Sequence, residues 1–197
     1  MSRLVRTSEL MKRPVVTMGG EDVAQIKDVV YSAGHGAVGG FTLAGRGVMS
    51  GPLRQALAWS SVMALGPDAV MIRDDGLLEP EENVFDRSAA TGNSGGDVVG
   101  SQVLTDTGTE LGTVVDVVLE VAERGRGQCD VVGYEVESAG ALGTKGTRVF
   151  VPLLDTLAAS GDHLLVPASA KDYVAHDLAG LGAAVRAFRQ HVHGTPL

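Results

Sequence analysis

An Asp set inside an apolar, β-branched run and followed at once by Val-Val occurs twice in this 197-residue chain, as IKDVVYS at 26–32 and as VVDVVLE at 114–120. The match extends well beyond the two stretches. Laying residues 14–31 over 102–119 pairs Val15 with Val103, Thr17 with Thr105 and Gly20 with Gly108. It also pairs Asp28, Val29 and Val30 with Asp116, Val117 and Val118. Val16, Val23 and Ile26 meet Leu104, Leu111 and Val114, all apolar. Further on, GGFTL at 39–43 meets VGYEV at 132–136, and GPDAVMI at 66–72 meets SGDHLLV at 160–166, with Asp68 over Asp162. Repetition in order and spacing is the mark of a duplicated unit, so the chain must fold as two copies of one small structure.

The unit reads as β. PVVT is a short apolar strand, and MGGED and DTGTE are polar, Gly-bearing turns that reverse the chain. The following run is rich in Val and Ile, as strands prefer. GGFTLAG and VVGYEVES alternate apolar with small or polar residues, the period-2 pattern of a half-buried strand. LAWSSVMAL and RVFVPLLDTL add a fourth strand and a helical turn, and DAVMI and DHLLV close the unit. So many short strands in so few residues are expected to curl into a small barrel, which removes exposed edges. The expected layout is a first barrel over 1–78, a linker over 79–96, a second barrel over 97–168 and a C-terminal helix over 169–193. The linker changes from charged to Ser, Thr, Asn and Gly, a flexible composition.

The helix is predicted from Val174, Leu178, Leu181, Val185, Phe188 and Val192, whose intervals of three and four make one apolar stripe. Ser169 is in place to cap it, with Asp172 three residues later. Gly180 and Gly182 weaken its middle. The stripe either packs on the chain's own barrel or serves as an interaction surface for a second copy or a partner.

The net charge is −8. Residues 1–80 are balanced, whereas 96–174 carry twelve Asp/Glu against five Lys/Arg. Such a chain repels phosphate backbones, so direct nucleic-acid binding is not expected and a basic protein partner suits it better. Arg3, Arg6, Lys12 and Arg13 read as a solubilising flank. The lone Cys129 excludes an intrachain disulfide. No signal-like segment and no run of 18 apolar residues is seen, so a cytoplasmic protein without a membrane span is expected.

Motifs for chemistry are weak. GHGAVG (Gly34, Gly36, Gly39) spells a dinucleotide fingerprint, but a strand follows where a helix is required. Asp106 and Glu110 in DTGTE are too few ligands for calcium. Cys129, at a strand entrance, reads as core. Asp28 and Asp116 have no partner base or nucleophile at a fixed offset, so they read as structural carboxylates that bend the strand or accept backbone N–H groups. No catalytic residue, cofactor site or metal site is assigned.

Taken together, SELMKRPVV, GGEDV, IKDVVYS, GGFTL and WSSVMALGPDAVMI in the first copy resemble the PRC-barrel family. SQVLTDTGTELGTVVDVVLE and VFVPLLDTL in the second resemble it more loosely, departing at Trp59, where Phe150 or a neighbour stands. The resemblance covers neither the linker nor the tail. It implies two small, strongly bent β-barrels and a non-enzymatic protein-binding or scaffold role; the striped tail adds the expectation that the chain self-associates. Two other readings stand beside it. One is a small-ligand or enzymatic site at the barrel–barrel junction, built from Glu81, Glu82, Asp86 and Arg87 near Asp28 or Asp116. The other is a ribosome-assembly accessory, by analogy with the family's ribosome maturation factor.

Overall fold

The computed structural model describes residues 2–31, 36–46, 51–84, 98–122, 127–153, 159–160 and 162–193. The chain divides into two compact units: Met1–Gly96 with Glu120–Asp130, and Asp97–Leu119 with Val131–Leu197. Both are built mainly of β-strands.

In the first unit the strands are β1 (Ser2–Arg6), β2 (Pro14–Thr17), β3 (Asp22–Tyr31), β4 (Val38–Ala44), β5 (Pro52–Ala58), β6 (Ala64–Leu65), β7 (Val70–Ile72) and β8 (Leu78–Pro80). A single helical turn, α1 (Glu81–Val84), follows. The sheet order is β6-β7-β2-β3-β4-β5-β8. All neighbours are antiparallel except β2 and β7, which run parallel. Alternation decides what is inside: Val15, Val29, Phe41, Leu43, Leu57, Val70 and Ile72 are fully buried. Each such side chain contributes roughly 1.5–3 kcal/mol of transfer free energy, so this inward row dominates the unit's stability. The terminal strands β6 and β8 are two and three residues long and are not paired with each other. Edges are therefore limited by shortness, where full closure was expected. Glu79 and Pro80, expected in the linker, extend β8 and pair with Ala56 and Gln55.

The second unit repeats the plan with β9 (Gln102–Thr105), β10 (Glu110–Ala122), β11 (Cys129–Ser138), β12 (Arg148–Pro152), β13 (Ala159–Ser160) and β14 (His163–Val166), followed by α2 (Leu178–His193). The strand order is β12-β11-β10-β9-β14-β13, with β9 and β14 parallel as β2 and β7 are. The last residues of β10 and the first of β11 belong to the first unit, so the unit boundary does not follow the boundary between the copies.

The shared residues have shared physical jobs. Thr17 N–H donates to Glu21 O and Gly20 N–H to Thr17 O; Thr105 and Gly108 do the same with Thr109 and Thr105. Each Thr hydroxyl also accepts the N–H across its turn, from Glu21 at 3.2 Å and from Thr109 at 2.9 Å. Gly20 and Gly108 sit at φ of 85° and 81°, where a side chain is strained. Gly40 and Gly133 are needed for another reason. A Cβ on Gly40 would meet Leu57 O at 2.3 Å, and one on Gly133 would meet Val151 O at 2.6 Å. The neighbouring strand passes too close for any other residue.

The tail differs from its sequence pattern. Residues Ala168–Tyr173, which contain Ser169 and Asp172, form a 3-10 helix. Ala175 then bridges to Phe150 through two backbone hydrogen bonds of 2.8 and 2.9 Å, which holds the chain extended. The α-helix begins only at Leu178, with the Asp177 carboxylate accepting the Gly180 N–H at 2.6 Å. Val174 therefore lies outside it.

Candidate functional site

The repeated carboxylates have clear local roles. Asp28 Oδ1 accepts the N–H of Val29 and Asp116 Oδ1 that of Val117, both at 2.8 Å. In β3 the pairing slips between Ile26 and Asp28, so this Asp stands at a bulge. Asp116 is buried and Asp28 half-buried.

Other residues singled out by sequence also serve the fold. Cys129 is buried, and burial, helped by the nearby Asp130 charge, pushes its thiol up to about 12. It stays protonated at neutral pH and is no nucleophile. Burial likewise raises the Tyr134 phenol. Asp106 accepts the Ala168 N–H at 2.9 Å. Arg3 and Arg13, read as a solubilising flank, donate to the carbonyls of Leu65 and Gly66, and Arg13 also to Glu9 O at 2.7 Å. Burial, then the Arg3 charge, lowers the Arg13 pKa. In the fingerprint-like GHGAVG, Gly34 lies outside the described residues and Gly39 lies in β4, a strand where dinucleotide binding requires a helix. Glu81 and Glu82 open α1; Asp86 and Arg87 lie outside the described residues. No cluster of three or more His, Cys, Asp or Glu that could hold a metal occurs among the described residues.

Of the tail stripe, Leu181 and Val185 are buried, Leu178 half-buried, and the side chains of Phe188 and Val192 lie outside the described ones. Leu181 reaches over Gly133, so this part of the stripe faces the helix's own unit.

Two surface features emerge that the motif reading did not anticipate. The first is a pair of outward-facing apolar residues that recurs in both units. Val16 pairs with Met71 across β2 and β7; the equivalent Leu104 pairs with Leu165 across β9 and β14. Their strand neighbours point inward and are buried, while Val16, Met71 and Leu104 are half-buried and Leu165 is 39% exposed. Met18, just beyond β2, is 62% exposed and hydrogen-bonds through its N–H to Ile72 O.

The second feature is a cleft of about 440 Å³ in the first unit. At the end of β5 the chain enters a 3-10 turn, Trp59–Ser61, closed by Val62 N–H on Trp59 O. The indole is almost buried. Its N–H donates to Gly127 O at 2.6 Å, and its ring meets Phe41 edge-on at 6.0 Å. Trp59, Val62, Met63 and Leu77 form the apolar wall, and Ser60, Ser61 and Arg73 supply the polar groups. Sequence offered one pointer to it, the departure of the second copy at Trp59.

Comparison with known families fits this duplicated architecture. The PRC-barrel domain profile matches residues 3–78 and again 91–173. The chain belongs to the PRC-barrel family. No curated protein matches it. Both PRC-barrel copies keep the Thr turn, the strand Asp and the close-packed Gly, whereas the Trp59 cleft is built on the first copy's turn. Among the described residues no helix is long and apolar enough to cross a membrane.

Proposed function

We propose that this tandem PRC-barrel protein is a non-enzymatic protein-binding scaffold that acts in the cytoplasm and includes its own copies among its partners. The observation that carries the reading is the recurrence of one outward apolar cross-strand pair, Val16/Met71 and Leu104/Leu165, in both units. Outward positions of a solvated strand pair are ordinarily polar, so an apolar pair kept in both copies marks a contact surface. Two such patches on one chain make it bivalent, which a scaffold requires. The partner is a protein with an apolar surface rimmed by Lys and Arg, to suit a chain of charge −8. The reduced, buried state of the single cysteine suits the cytoplasm.

The test compares the wild type with Met71→Lys, Leu165→Lys and the double variant in crosslinking mass spectrometry from the native cell and in light scattering. Each single variant is expected to lose part of the crosslinked partners and the double variant nearly all, with self-association falling in parallel. Crosslinks and mass unchanged in the double variant would remove the reading.

A further inference from the structure

We propose that the Trp59 cleft is a binding site for a small monocarboxylate with an apolar body, a role separate from protein docking. Its volume of about 440 Å³ falls within the roughly 300–1,000 Å³ typical of small-molecule sites. Its wall is fixed in advance. Trp59 is held at its N–H by Gly127 and packs in a T-shaped pair with Phe41, so no ordering of the indole is needed when a ligand enters. Apolar surface from Val62, Met63 and Leu77 continues that wall.

The polar groups are open for use. Arg73 is exposed and, among the described residues, is the only charged one lining the cleft. Among the described residues, neither its guanidinium nor the hydroxyls of Ser60 and Ser61 has a hydrogen bond or ion pair within the protein. A planar fork of N–H donors matches a carboxylate in two-point fashion, and two hydroxyls can complete its remaining lone pairs. One guanidinium among the described lining residues suits a single negative charge. Asp74 and Asp75 follow Arg73 directly in the chain, and the chain as a whole is acidic, so a phosphate-rich ligand is repelled. The aliphatic and aromatic wall then holds the apolar body.

Trp59 is the only tryptophan of the chain, so its fluorescence reports on the cleft directly. The full chain is titrated with hexanoate and phenylacetate, with their neutral amides, and with inorganic phosphate. The acids are expected to give a saturable change, with the amides and phosphate about tenfold or more weaker. Arg73→Gln is expected to bring the acids down to the level of the amides while its melting temperature stays that of the wild type, because Arg73 is exposed. Ser60→Ala with Ser61→Ala is expected to weaken the acids without abolishing them. The proposal is overturned if neither acid gives a saturable change, if the amides or phosphate bind as well as the acids, or if Arg73→Gln binds the acids unchanged.

Discussion

Replacing Gly40 with Ala adds a single methyl group, and the structure says where it must go. The added carbon would stand 2.3 Å from Leu57 O and 3.1 Å from Ala58 Cα, both backbone atoms of β5. Real Cβ contacts are not found below 3.0 Å, so the two strands must separate by at least some 0.7 Å at the point where Gly40 faces Ala58. Overpacking of this kind costs about 1–3 kcal/mol. Weakening two ladder hydrogen bonds beside it adds about 1 kcal/mol each. The sum is about 3–5 kcal/mol, and at about 4–8 °C per kcal/mol the first unit should melt some 12 °C lower or more. Gly20→Ala in the same unit is the control. Nothing lies within 4 Å of its added carbon, and only the φ of 85° opposes it. That costs about 1–2 kcal/mol, reduced by the lower entropy of the unfolded Ala chain. Thermal and urea unfolding followed by Trp59 fluorescence reads both variants, since Trp59 follows directly on β5. Equal shifts for the two variants, or a larger one for Gly20→Ala, would refute the reasoning from close strand approach.

Asp116→Ala should cost about 1–3 kcal/mol, because the buried Val117 N–H loses its acceptor, and the half-buried Asp28→Ala should cost less; urea unfolding of each gives the order. Cys129 should resist a disulfide reagent at pH 8 until the protein is unfolded, and immediate labelling of the native chain would contradict its burial. Its thiol rises from 9.0 to about 12 on folding, so the folded state holds this proton where the unfolded chain has released it. Stability is therefore unaffected by this group below pH 9 and falls by about 1.4 kcal/mol per pH unit between 9 and 12, with Tyr134 adding loss of the same sign; a denaturation series across that range measures it. Arg13→Met should speed amide hydrogen exchange around Leu65–Val70 by releasing the Gly66 carbonyl, with a cost of about 1–2 kcal/mol.

Much of the fold was legible because its constraints are local and repeated. Thr17 and Thr105 announce their turns through a side chain that bonds four residues on, and Gly20 and Gly108 through the backbone they permit. Asp28 and Asp116 were legible as a repeat, and each accepts the N–H of the residue that follows it. The helix start was not readable. Val174 keeps the helical interval to Leu178 by spacing alone, while the backbone of Ala175 is captured by Phe150, a partner 25 residues earlier. The close approach behind Gly40 and Gly133 could be seen as a repeat but not explained until β5 and β12 were in place. The cleft was hidden for the same reason: residues 59–63, 73, 77 and 127 form one surface only after folding, and none of them makes a motif alone. The outward apolar pairs lay inside runs read simply as strands, because their exposure depends on which strand lies beside which.

The segment Glu120–Asp130 belongs by sequence to the second copy and by its contacts to the first unit, where the Gly127 carbonyl accepts the hydrogen bond of the Trp59 indole N–H. A recombination event that cuts the gene between the repeats therefore does not return the ancestral single module. It leaves a front half whose Trp59 indole N–H has lost its Gly127 acceptor. A front half cut out at the repeat boundary would have to supply another acceptor for that indole N–H or leave it to water.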